Sequence, residues 1–395
     1  MNEIILKPGR DKTARQRHPW IFSGGIMKTP SGISPGEIVR VVDSKKNFVA
    51  YGYHNPNSQI AIRLLEWNEN ALIDDSWWQA RIADAVARRK HFIDDSKTNA
   101  FRLVFGESDL FPGLVVDRYA DFIVMQALTA GIESVKIMLA SHLNDLLKPS
   151  GIYERSDTES RTLEGLEIMA GQLLGAAPPD RLIVTENGYR LSVDIKSGQK
   201  TGLYLDQRDN HKAVASYAAE KELLDCFSYT GAFSVHALGA GAKSVTLVDS
   251  SAQSLKTAQQ NIQLNRLDET KSTFIDGDAF QILRQFRDSG RSYDMVILDP
   301  PKFAPTKSDL KKALSGYKDI NLLALKILRP GGILVTFSCS GAVDAQTLQT
   351  VLFWAATDAG RNLQIIRTFS QGEDHPRLVT FPESEYLKGF ICRVF

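Results

Sequence analysis

From residue 220 to the end of the chain, short apolar runs alternate with helical patterns. "ELLDCF" (222–227), "SVTLVDSS" (244–251), "STFIDGDA" (272–279), "YDMVILDPP" (293–301) and "GGILVTFSCS" (331–340) read as strands. The stretches that follow them read as helices: one from Gly231, then 252–265, 280–290, one running to about Leu328, and 344–360. Two parallel strands need a crossover between them, usually a helix, so this rhythm predicts an α/β fold with a doubly wound parallel sheet. "LQIIRTF" (363–369) and "YLKGFICRVF" (386–395) have no helix between them and predict an antiparallel hairpin at the end of that sheet.

A parallel sheet closed by such a hairpin resembles the plan of the class I S-adenosylmethionine methyltransferases, a Rossmann-like fold. The rest of the chain obeys other periods. Residues 1–67 hold four short β-branched or aromatic runs bounded by turn residues, a pattern that predicts a small β-barrel. Residues 76–93 change to a helical period, with Ser76 as the expected N-cap. Two strands over 111–128, a helix over 132–148 and a hairpin over 182–195, turned at Asn187-Gly188, complete a central α+β module. The expected division is 1–72, 73–190 and 191–395.

With 395 residues the chain is too long for one ordinary core. It has no apolar run of membrane-spanning length and no apolar signal core, so a cytoplasmic protein without a membrane partner is expected. Its three cysteines (Cys226, Cys339, Cys392) make neither a disulfide framework nor a CxxC knuckle. The histidines lack HxxxH spacing, and no metal is expected. Residues 1–65 carry ten basic and four acidic side chains, a net +6 against +1 for the whole chain. A basic module on an otherwise acidic chain points to an anionic partner, nucleic acid first, with Lys7, Arg15 and Arg17 as candidate contacts.

Open α/β sheets bind ligands beyond the carboxyl ends of their strands. The first end, "DCFSYTGAFS" (225–234), has one glycine, Gly231, and is not GxGxxG, which disfavours a dinucleotide. A small-residue turn there lets backbone amides approach a ligand. Asp249 ends the second strand and can accept from ribose hydroxyls or cap the next helix. Asp278 follows the third strand and can face an adenine amino group. In "LDPPKFA" (298–304) two prolines stiffen the backbone around Asp299 and Lys302. Cys339 ends the fifth strand. A thiolate there has a specific use if the target is C5 of cytosine: addition at C6 makes C5 nucleophilic. A nitrogen target needs no thiol. Cys226 and Cys392 read as small buried hydrophobes.

The motifs "RHPWIFSG" (17–24), "SDLFPGLVVDRY" (108–119), "IYERSD" (152–157), "GQKTGLYLDQR" (198–208), "DCFSYTGAFS", "LDPPKFA", "GYKDIN" (316–321), "TFSCSG" (336–341) and "YLKGF" (386–390) together resemble the RlmI family, 23S (large-subunit) ribosomal RNA cytosine-C5 methyltransferases. The resemblance covers nearly the whole chain. It implies an N-terminal PUA domain, a central linking domain and a Rossmann-like methyltransferase domain. The implied cofactor is S-adenosylmethionine, with S-adenosylhomocysteine as product. The implied partner is 23S ribosomal RNA or a large-subunit assembly intermediate, and a homodimer is the implied assembly. Cys339 would be the covalent nucleophile, Asp299 would meet the base at its N3 or N4 edge, and Lys302 would orient the base or lower the thiol pKa. Phe227, Ser228, Tyr229, Thr230 and Gly231 would cradle the methionine part. Asp249 with Ser250 would take the ribose, and Asp278 with Ala279 the adenine. Lys200, Thr201, Gly202, Asp206 and Arg208 would form a lid-like strand segment over the cofactor. Many cytosine-C5 RNA enzymes carry a second cysteine at the "DPP" position. Here Pro301-Lys302-Phe303 stands there, and the base that removes the C5 proton is unassigned. The alternatives are a guanine-N methyltransferase of related fold and a non-catalytic RNA-binding assembly factor.

Overall fold

Seven strands form one sheet over residues 222–394. They are β1 (Glu222–Cys226), β2 (Ser244–Asp249), β3 (Ser272–Asp276), β4 (Tyr293–Leu298), β5 (Leu328–Ser338), β6 (Leu363–Ser370) and β7 (Lys388–Val394). The order across the sheet is β3-β2-β1-β4-β5-β7-β6. Strands β1 to β5 are parallel, and β7 enters antiparallel between β5 and β6. The expected doubly wound sheet with its closing hairpin is what forms.

One line of register crosses the whole sheet: Ile275, Val248, Cys226, Leu298, Thr336, Phe390 and Thr368 are successive partners. This row fixes where the chemistry gathers. Asp249 and Asp299 stand one residue beyond it, and Ser338 and Cys339 two and three beyond. Because β7 runs the other way, Lys388 reaches the same edge from two residues before Phe390 and pairs with Ser338.

The crossovers are α1 (Arg208–Ala215), α2 (Ala232–Gly239), α3 (Ala252–Leu264), α4 (Ala279–Asp288), α5 (Leu310–Ile327) and α6 (Ala345–Ala359), with α1 leading into β1. Leu224, Cys226, Val296, Leu298, Leu334 and Cys392 share one core with Tyr317 and Leu323 of α5 and Leu348 and Val351 of α6. Each such side chain removed from water contributes about 1.5–3 kcal/mol, so this layer is a firm base for the strand ends above it.

The computed structural model describes all residues except 91, 92, 95 and 304–309. The chain forms two compact units. One holds residues 1–184, 193–205 and 373–384; the other holds 185–192, 206–372 and 385–395. Within the first unit, a six-stranded sheet contains the four strands expected from the sequence, at Glu3–Leu6, Ile38–Val42, Phe48–His54 and Ile62–Glu66. Two short strands, Trp20–Ile21 and Ile26–Lys28, join it and had no signal of their own. A second, five-stranded sheet spans residues 100–175 and shares a core with the helices Asp75–Arg89 and Ala130–Leu147.

Two local expectations are corrected. The helix expected over 76–93 is Asp75–Arg89, and its cap is Asp74, not Ser76. Asp74 lies before the helix and accepts from the amide of Trp77, whereas Ser76 is already inside the first turn and donates to Asp74. Residues 91 and 92 of that expected helix lie outside the described residues. The segment 198–208 is no strand: it runs through turns into a short 3-10 helix, Leu205–Gln207. The Asn187-Gly188 turn has both residues at positive φ, 50° and 88°, as a type I′ hairpin turn requires.

Candidate active site

The loop after β1 is built under strain. Phe227, Tyr229 and Gly231 have φ of 62°, 46° and 76°. The two non-glycine residues each cost roughly 1–3 kcal/mol in that region, so the surroundings must hold them there. The ties are visible. The Ser228 amide donates to Val248 O, the Tyr229 amide to Asp249 Oδ2 and Asn261 Nδ2 to Thr230 O. A Cβ at residue 231 would lie 2.8 Å from the Ala258 Cβ, so glycine is needed for closeness as well as for φ.

Asp249 is half-buried, and each oxygen accepts a backbone amide, Oδ1 from Ser251 and Oδ2 from Tyr229. A carboxylate oxygen has two lone pairs, so one on each remains for a ligand hydroxyl. Ser250 beside it is exposed. Asp278 caps α4, accepting from the Gln281 amide; it is exposed, and Ala279 is buried in the first turn. Asp225 lies beneath this rim, 1% exposed, with Oδ2 taking the Ser234 hydroxyl at 2.7 Å and Oδ1 without a partner among the described residues. Burial, assisted by the charges of Asp299 and Asp249, pushes its pKa up to about 7.

The β4 and β5 ends form the other half. Asp299 Oδ2 accepts from Gln207 Nε2 at 3.0 Å, and Gln207 is in turn held by Asn210 Nδ2 at 2.7 Å. Pro300 is buried, and Lys302 stands exposed. Cys339 is half-buried, its Sγ 4.0 Å from Pro300 O. Cys226 and Cys392 are fully buried, and burial raises both thiol pKa values, that of Cys392 to about 12. Around Cys339 the chain is pinned: Ser338 Oγ donates to Tyr317 Oη at 2.9 Å, and Lys388 Nζ donates to Ser340 O at 2.8 Å. Burial pushes the Tyr317 phenol up to about 12 and the Lys388 ammonium down.

The remaining site candidates have structural engagements. In the first unit, Thr201 donates to Asp117 Oδ2 at 2.6 Å and is buried, Lys200 lies 4.5 Å from the Tyr204 ring, and Gly202 has φ 143°. In the second, Asp206 Oδ2 accepts from Tyr386 Oη at 2.6 Å, and buried Arg208 pairs with Asp209. Near the N-terminus Lys7 donates to Gly24 O, Arg17 stacks on Trp67, and Arg15 pairs with Asp11 and Asp43. Glu186, His211 and His236 meet in the interior of the second unit: His211 Nδ1 is 2.7 Å from Glu186 Oε1, and His236 Nε2 is 3.7 Å from it. Wide sequence spacing hid this trio. Gln207, Asp225, Tyr317 and Lys388 were also missed. All four stand within quoted motifs, but Gln207, Tyr317 and Lys388 meet partners far away in sequence.

The residues fit S-adenosylmethionine. A glycine-requiring amide loop, a ribose-type carboxylate and two buried oxygens without partners among the described residues, Asp225 Oδ1 and Ser228 Oγ, gather at one sheet edge. Two carboxylates there, Asp249 and Asp299, suit a ligand of net positive charge. The sheet order and this edge define a class I S-adenosylmethionine-dependent methyltransferase, and residues 167–371 match the family described by that activity. Residues 4–67 match the PUA-like domain family. A crystal structure of a methyltransferase complexed with S-adenosylhomocysteine has the same fold, at TM-score 0.86 and 22% identity over all of both chains. The chain is 44% identical over 391 residues to ribosomal RNA large subunit methyltransferase I of Klebsiella pneumoniae strain 342, which covers 99% of this chain and 98% of that one. The protein of that name from Escherichia coli strain SMS-3-5 is also 44% identical, with 99% of each chain covered. The chain belongs to the ribosomal RNA large subunit methyltransferase I family.

Proposed function

We propose that this methyltransferase modifies C5 of a cytosine in 23S ribosomal RNA through a covalent bond between Cys339 and C6. The observation that carries the reading is the contrast among three cysteines. Cys226 and Cys392 are sealed in the core, while Cys339 is partly exposed at the strand end, beside the Asp299-Pro300 turn. Its placement has no packing rationale as complete as theirs.

S-adenosylmethionine, when bound, supplies an electrophilic methyl group. The protein's own residues prepare the carbon that takes it. The Cys339 thiolate forms the S–C6 bond, and the electron pair of the C5=C6 bond moves toward C5. Asp299, held by Gln207, meets the N4 amino edge and fixes the ring, with Lys302 helping to orient it. Loss of the C5 proton later restores the double bond and expels the thiolate. Phe227 to Gly231, Asp249 with Ser250, and Asp278 with Ala279 hold the donor. Asp206 and Arg208 support the same region.

The family's name directs the reading to large-subunit ribosomal RNA, naked or in an assembly intermediate, in the cytoplasm. Residues 1–72 then act as the RNA-binding domain, 73–190 as the linking domain and 191–395 as the methyltransferase domain. Lys7 and Arg17 contribute more to RNA binding than Arg15, whose charge is shared with Asp11 and Asp43.

The test uses unmodified 23S ribosomal RNA, labelled S-adenosylmethionine and either the native protein or Cys339→Ala, with 5-methylcytosine mapped by bisulfite sequencing. The native protein protects one cytosine and the variant none. A variant with near-native activity removes the thiol from the reaction, and label recovered in guanine moves the reading to a nitrogen target.

A further inference from the structure

We propose that Lys388 is a positioning residue for Cys339: its ammonium group holds the neighbouring thiol as the thiolate that attacks the base. The inference rests on the reading of Cys339 as nucleophile and deepens it.

The placement is unusual for a lysine. Lys388 begins β7, which has a strand on either side, paired with Ser338 of β5 and Ser370 of β6. It is only 4% exposed, although lysine is rarely buried without a charged partner. Its Nζ donates to Ser340 O at 2.8 Å. The side chain therefore starts opposite Ser338 and ends on the Ser340 carbonyl, on either side of Cys339 in sequence, and the Cys339 group acts on its charge. A carbonyl oxygen satisfies one of three ammonium protons and none of the charge.

Among the described residues, the charged and titratable groups that act on this pair come from several elements. Glu385 precedes β7 and Asp344 precedes α6; with Cys339 they face the Lys388 ammonium. Tyr317 on α5 faces Cys339 and Asp299. Glu385 and Asp344 are both exposed, so water screens them. Tyr317 is a phenol kept neutral by burial. The Cys339 sulfur is the half-buried group of that set, and a thiolate there gives the ammonium a counter-charge where water is scarce. The effect is reciprocal: the ammonium that gains from a nearby thiolate stabilises it by the same interaction.

Alkylation of the native chain by iodoacetamide, without RNA or cofactor, reads the thiolate directly. Mass spectrometry assigns the label to Cys339, since Cys226 and Cys392 are buried. The rate is followed from pH 6 to 10 for the native protein, Lys388→Met and Lys388→Arg. The expected midpoint for Lys388→Met lies higher than the native one by about one pH unit or more, with alkylation near pH 7 about tenfold slower. Lys388→Arg restores most of the shift. Superimposable native and Lys388→Met curves overturn the proposal. If Lys388→Met does not fold, Lys388→Arg decides alone: a midpoint near the native one supports the charge, and one near that of an ordinary thiol, about 8.5, overturns it. The result is separate from the nucleophile assignment. Cys339→Ala methylation tests that assignment, and the alkylation curve keeps its meaning whichever way it falls.

Discussion

The two halves of the strand-end edge are held together differently. Beyond β2 and β3 the carboxylates are tied to backbone amides, mostly nearby in sequence: Asp249 to Ser251 and, across the loop after β1, to Tyr229; Asp278 to Gln281. Beyond β4, β5 and β7 the ties run between residues far apart: Gln207 to Asp299, Tyr317 to Ser338, Lys388 to Ser340. The first half is a shaped cradle, complete as soon as its loops fold. The second depends on the sheet register to bring side chains together. A donor used in every reaction of this class suits the first arrangement, and a substrate-specific set of groups suits the second.

Four sets of substitutions test that contrast and its surroundings. Removing the thiol in Cys339→Ala should lower methyl transfer by ~10³-fold or more while leaving S-adenosylhomocysteine affinity near native, because a nucleophile's loss is felt in the chemical step. Loss of both together would erase the division between halves. Asp249→Ala should do the reverse and weaken S-adenosylhomocysteine binding by ~10–100-fold in calorimetry, since charge-assisted hydrogen bonds contribute about 1.5–3 kcal/mol. It also removes the bond by which the Tyr229 amide ties the strained loop to Asp249.

Asp225 gives a pH-dependent outcome. Its folded pKa is about 7 against an ordinary value of 3.8, so the folded chain holds a proton that the unfolded chain has released. Its contribution is therefore neutral below about pH 4 and becomes increasingly unfavourable as pH rises to about 7, by ~1–4 kcal/mol. Asp225→Asn lacks this slope. Urea denaturation at pH 4.5 and pH 8 should show the variant gaining on the native protein at the higher pH. Parallel behaviour would mean that the carboxyl ionises normally. The smallest effect belongs to the basic residues near the N-terminus. Replacing Lys7 and Arg17 by Ala should weaken RNA binding about tenfold and reduce the log–log salt slope by ~1–2, with a smaller change for Arg15→Ala.

Much of this fold was legible because parallel crossovers impose a rhythm that few other topologies share. All five parallel strands and the closing hairpin followed from it. The cradle was legible as well, since "DCFSYTGAFS", Asp249 and Asp278 sit at strand ends by counting alone. The capping duty of Asp278 was not foreseen, as one carboxylate can serve a ligand or a helix with the same residue pattern. The short strands at 20–21 and 26–28 carry too few residues for a period. Lys388 was hidden for another reason. In "YLKGF" a lysine reads as solvated, and only the insertion of β7 between β5 and β6 buries it beside residue 339. Gln207 and Asp299 meet across 92 positions, which no local pattern records.

The central claim is a covalent bond between Cys339 and a cytosine ring, and the most direct measurement captures it. Ribosomal RNA carrying 5-fluorocytosine leaves no C5 proton to remove, so the methylated adduct cannot release its thiol. Native protein, this RNA and S-adenosylmethionine should give a denaturant-stable complex, with the RNA mapped by mass spectrometry to the peptide containing Cys339. A chain that methylates ordinary RNA yet forms no such complex, or forms it through another residue, contradicts the account.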